Sequence, residues 1–138
     1  MITIWIRRRL GNAKGTSTLE FIAVFPILLL VFLVGVELCR AWLTANIALN
    51  AVREGVRLAV VTPAANDPIA TATNRILDVL TVTNIPVVSG PTVACDPSCT
   101  IDAQVNASVT VQFQTIFPIF LPQIGTYNIR QSASMRYE

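Results

Sequence analysis

Apolar positions change their spacing along this chain, and each spacing predicts a different element. From Phe21 to Val36 no position is charged, with Glu20 at one edge of the run and Glu37 at the other. Together with Thr16–Leu19 and Leu38–Cys39 the stretch is about 20 residues long. At a rise of about 1.5 Å per residue that spans a hydrocarbon core of about 30 Å. A core helix of a small soluble domain carries one apolar stripe, not apolar residues on every side. A cleaved secretory signal opens the same way, with basic residues before an apolar region. Here, however, the run ends Val34-Gly35-Val36-Glu37-Leu38-Cys39, without small residues in A-x-A spacing or before Cys39. A retained single span fits best. Arg7–Arg9 and Lys14 precede it and only Arg40 follows closely, which places the N-terminus in the cytoplasm and the remainder outside. Pro26 lies inside the run, removes the hydrogen bond to the Ile22 carbonyl and is expected to bend the helix.

Beyond the run the spacing becomes three and four: Leu38, Ala41/Trp42, Ala45, Ala48/Leu49, Val52, Val56 and Ala59. No proline interrupts Leu38–Val61, so one helix is expected over Thr16–Val61, about 69 Å long, with Thr16 or Ser17 as its cap. Asn46, Asn50, Arg53 and Glu54 lie largely off the stripe. Arg53, Glu54 and Arg57 are expected to form a solvated or partly paired face, with Glu54–Arg57 as an i,i+3 pair, or to pack on a head domain or partner. Thr62–Pro68 ends the helix; Asp67 can cap a second one with Pro68 at its first position, running over Ile69–Leu80. The β-branched residues of Thr81–Val88 predict a strand and Gly90-Pro91 a turn. Thr100–Phe113 alternates strictly, with Ile101, Ala103, Val105, Ala107, Val109, Val111 and Phe113 on one face. Phe117–Ile124, with Pro118 and Pro122, reads as an apolar loop covering a core or docking on a partner or membrane. Tyr127–Tyr137 alternates again and is expected to pair antiparallel with Thr100–Phe113. The fold class expected is α+β: a long N-terminal helix, a short second helix and a small antiparallel sheet. Its segments are 1–15 (basic leader), 16–39 (span), 40–61 (continuing helix) and 62–138 (head domain).

Charge changes the picture once it is divided. The net +2 of the 138 residues rests on four basic residues, Arg7, Arg8, Arg9 and Lys14, all before Gly15. The remaining six basic and eight acidic side chains sum to −2, with no basic patch to meet phosphates, so no nucleic-acid partner is expected. Without histidine there is no Ser-His or Cys-His pairing, the carboxylates are scattered, and no phosphate-binding glycine motif occurs; the chain is not expected to be an enzyme or to need a cofactor. Cys95 and Cys99, separated by Asp96-Pro97-Ser98, are expected to form a small-loop disulfide in an oxidising compartment. Two thiols without further ligands leave a zinc site incomplete, so no metal is expected. Cys39 reads as a small apolar helix residue.

One spacing remains. Glu20 is the fifth residue after Gly15, behind a basic leader and directly before the apolar run. A carboxylate in the bilayer edge calls for a partner. In these features the chain resembles the type IV prepilin class. Pro26, Glu37, the run Ala51-Val52-Arg53-Glu54-Gly55-Val56-Arg57 and the closing Ala133–Glu138 narrow the resemblance to the TadE-like pseudopilins, or minor pilins, of tight-adherence (Flp) pilus systems. The likeness is good over residues 7–61 and loose at the end. It implies cleavage between Gly15 and Thr16 by a prepilin peptidase, and Glu20 pairing with an adjacent subunit's N-terminus. It further implies other pilins and an inner-membrane assembly platform as partners, besides the lipid bilayer. The expected location is the bacterial inner membrane, single pass, with possible entry into the pilus. The competing reading is an uncleaved, membrane-anchored extracytoplasmic binding or sensing module.

Overall fold

In a computed structural model the described residues are 13–100, 102–116 and 125–136. Most of the basic leader, including Arg7–Arg9, and the apolar stretch Phe117–Ile124 lie outside them, as does Tyr137. The chain forms two compact units, Met1–Leu38 and Cys39–Glu138.

The first unit holds the start of helix α1, which runs over Ala13–Val61 with Pro26 inside it. The helix starts before Thr16 and Ser17, so neither is its cap. Gly15 and Thr16 lie within its first turns. The side chains from Leu19 to Val34 are largely exposed, Phe21 and Ile27 by about two thirds. In the most hydropathic window of this helix none of the residues is buried, so it has the length and composition to cross a membrane and is not covered as a core helix would be.

The second unit is a two-layer α+β arrangement, helices on one face of a sheet. The end of α1 supplies Ala48, Ala51, Val52, Val56 and Ala59 to the core, all fully buried. The expected stripe was therefore placed well from Ala48 onward, whereas Leu38 and Trp42 are exposed. Ala51 and Gly55 join the seam instead. A Cβ on Gly55 would stand 2.8 Å from Ile76 Cδ1 and 3.1 Å from the Ala72 carbonyl oxygen, so the glycine lets the two helices approach. Thr62 and Pro63 stop α1, and a short 3-10 turn, Ala64–Asn66, leads to α2, Pro68–Val82. Asp67 caps α2 as expected: its Oδ1 accepts from the Ala70 N–H at 3.1 Å, and Pro68 opens the helix. Pro68, Ala72, Ile76 and Leu80, every fourth residue, form the buried face.

The strand expected from Thr81 begins only at Val87. Thr81 and Val82 extend α2, because a C-terminal cap satisfies its last carbonyls. Asn84 adopts φ 54°, its N–H donates to Thr81 O at 3.0 Å, and the Ile85 N–H donates to Leu80 O at 3.0 Å. The Thr83 hydroxyl also donates to Val79 O, which offsets the poor helix propensity of these β-branched residues.

Three strands follow as an antiparallel meander: β1 Val87–Asp96, β2 Gln104–Gln114 and β3 Thr126–Arg136, in the order β1-β2-β3. Gly90-Pro91 does not turn the chain. It sits within β1, where the register slips between Val87 and Ser89 and again between Ser89 and Thr92. An edge strand tolerates a proline and the bulges around it. The strand expected over Thr100–Phe113 starts at Gln104, since the Ala103 N–H bonds to Thr100 O and Asp102 has φ 70°. From Ala103 to Phe113 the alternation holds: Ala103, Val105, Ala107, Val109, Val111 and Phe113 are buried. β3 pairs with β2 residue for residue, from Gln104 opposite Arg136 to Gln114 opposite Thr126. That is the antiparallel ribbon expected of Tyr127 onward.

Candidate functional site

The residues singled out from the sequence fall into three places. Gly15, Thr16, Glu20 and Pro26 all lie on α1 in the first unit. Thr16 and Glu20 stand four residues apart on one helix. Glu20 is exposed. Around it the surface is apolar: Leu19, Phe21, Ile22 and Val24 are each more than half exposed. Phe21 and Phe25 stack at 5.4 Å between ring centroids, tilted 34°. A carboxylate at the edge of an apolar helix surface suits a bilayer edge or a subunit contact that brings a cation.

Arg53, Glu54 and Arg57 lie further along α1, in the second unit, all exposed. Glu54 does not turn to Arg57. Its Oε1 accepts from Nε of Arg75 at 3.1 Å and from Nη2 of the same guanidinium. Arg75 also donates from Nη1 to Asp78 Oδ2 at 3.1 Å. The Glu54 hydrogen bond, then the charge of that carboxylate, raises the Arg75 pKa above its ordinary value. The fork ties α1 to α2 over 21 positions of chain. Arg75 was not anticipated; its i,i+3 spacing to Asp78 was the available sign, but nothing in the sequence tells which helix faces α2.

Cys95 and Cys99 are bonded to each other between the end of β1 and the turn before β2, and Cys39 is a free, exposed thiol. Among the described residues no group of three or more histidine, cysteine, aspartate or glutamate side chains comes together as a metal site.

The second unit also holds a cavity of about 330 Å³. α1 contributes Arg40, Thr44 and Ile47, the segment after α2 contributes Asn84 and Pro86, and β2 contributes Gln112 and Phe113. The Arg40 guanidinium carbon lies 5.3 Å from the Phe113 ring centroid, within reach of a cation–π attraction. The Gln112 N–H donates to Pro86 O at 2.8 Å, which joins two of the lining segments. In the sequence Arg40 marks only the charge balance of the span; the alternation of β2 makes Phe113 a core residue without indicating that a cation covers it.

Residues 15–57 match the family model described as TadE-like protein, the region of Gly15, Glu20, Pro26 and the Arg53–Arg57 run. No curated protein and no solved structure matches the chain.

Proposed function

We propose that this chain is a pseudopilin-like, or minor pilin, subunit of a tight-adherence type pilus, processed between Gly15 and Thr16. The observation that carries the reading is the placement of Gly15, Thr16 and Glu20 on a single uninterrupted helix whose following surface is apolar and exposed. The TadE-like match begins at Gly15 and supports it. α1 anchors the precursor in the bacterial inner membrane, with the basic leader in the cytoplasm and the sheet domain outside. A prepilin peptidase then removes residues 1–15. The new ammonium at Thr16 is a counter-ion for Glu20, either its own or that of an adjacent pilin, and offsets the cost of a carboxylate at the bilayer edge. Pairing with a neighbour sets the register in which exposed helices of several subunits pack together. Pro26 supplies the bend, or loosened turn, for passage from bilayer to fibre. The assembly platform and other pilins are the partners, and no catalytic role is assigned.

The charge pairing at Glu20 is tested with Glu20→Ala in cells that assemble the pilus. The variant is expected in the membrane in normal amount and processed, but to co-purify with its pilin partners at least about tenfold less, as loss of a desolvated ion pair implies. Unchanged recovery with partners and in sheared pili would overturn the role given to Glu20.

A further inference from the structure

The two edges of the sheet are built differently. β1 is interrupted: it carries Pro91, which lacks an N–H, and its register slips twice between Val87 and Thr92. These are features that blunt a sheet edge against pairing. β3 has none of them. It runs 11 residues from Thr126 to Arg136, pairs with β2 without a slip and contains no proline. Its other edge is a row of backbone donors and acceptors about 37 Å long, without a strand beside it among the described residues.

The core-facing side of that edge is also incompletely covered. Register with β2 places Tyr127, Ile129, Gln131, Ala133 and Met135 on the face of the buried residues Phe113, Val111, Val109, Ala107 and Val105. Yet Tyr127 is 62% exposed and Met135 37% exposed, while Ile129 and Ala133 are only partly buried. An apolar row beside an open backbone edge fits an added strand, which continues both the hydrogen bonding and the apolar layer.

The pattern along β3 selects the occupant. Consider two copies of β3 running antiparallel about a two-fold axis at Gln131. All 11 residues then find a partner. Tyr127 faces Met135 of the second copy, Ile129 faces Ala133, and Gln131 faces itself. On the wet side Arg130 faces Ser132 and Arg136 faces Thr126. An aromatic ring against a thioether is a favourable contact, and no arginine opposes an arginine. Shifting the axis to Arg130 opposes that residue with its own copy, and shifting it to Ala133 sets Arg130 against Arg136, both unfavourable. We infer that the β3 edge is an interaction surface for a second copy of this chain, joining two three-stranded sheets into one of six strands through an isologous contact. The inference rests on the sheet alone and stands whether or not residues 1–15 are removed.

Cysteine cross-linking of the full-length protein in membranes tests it. In a Cys39→Ser background, Gln131→Cys places two thiols across the proposed axis. Mild oxidation is expected to give a disulfide-linked dimer, about tenfold more than Val88→Cys on the opposite edge gives. Adding Tyr127→Lys, an exposed substitution that leaves the core intact, is expected to abolish the dimer by setting a charge against Met135. Equal cross-linking from Val88→Cys, persistence of the dimer in the Tyr127→Lys variant, no dimer from Gln131→Cys, or capture of a different protein at residue 131 would each overturn the assignment.

Discussion

At the scale of single residues, two positions carry demands of space or backbone conformation that few residues meet. Gly55 is the contact point of α1 and α2, where any Cβ would press on Ile76 and on the Ala72 carbonyl. Gly55→Leu is expected to destabilise the sheet domain by about 1–3 kcal/mol, read as a lowered melting temperature of the detergent-solubilised protein. Asn84 holds φ 54° as the residue after the α2 cap. Asn84→Ala is expected to cost about 1 kcal/mol by the same melt, whereas Asn84→Gly should be close to neutral. Gly55 stands within a helical pattern, where a glycine lowers helix propensity. Its purpose was not legible, because the surface it serves belongs to a helix some 20 residues onward. Asp67 was legible, since an aspartate before a proline carries a cap and its helix together. The Glu54–Arg75 fork was not, because a charge three positions away looks as available as one 21 positions away until the helices are packed.

At the scale of elements, periodicity identified the two helices, β2 and β3, and erred at β1, where local chemistry outweighed propensity. The β2 alternation was right from Ala103 to Phe113, because a central strand with one wet face has only one way to bury its apolar half. α2 ran two residues into a predicted strand because hydroxyl and backbone bonds cap it at Thr83 and Asn84. Gly90-Pro91 was read as a turn for the reason that makes it a bulge: both residues disrupt regular pairing, and an edge strand absorbs the disruption. The α1 stripe was right only where a layer covers it, from Ala48 on; Leu38 and Trp42 repeat the spacing without being covered. The second-unit core depends on α2 through its fully buried Ile76 and Leu80. Ile76→Ala is expected to cost about 2–5 kcal/mol, measured by denaturant titration of the same protein. A loss below about 1 kcal/mol would mean that α2 is not the lid of this core.

At the scale of the whole molecule, the long apolar helix and the α+β class were legible because hydropathy and length act over many residues at once. The proposed processing at Gly15 rests on few residues: a spacing of five to Glu20, a basic leader before it and an apolar run after it. It also separates a pilus subunit from a permanently anchored module, which would share the helix and the sheet and keep its leader. The most direct measurement is the N-terminal sequence and intact mass of this chain extracted from membranes of cells that are assembling the pilus. The expected result is a polypeptide beginning at Thr16, with Gly15→Ala leaving residues 1–15 attached. A wild-type chain that still carries Arg7, Arg8 and Arg9 while pili are being made would contradict the account.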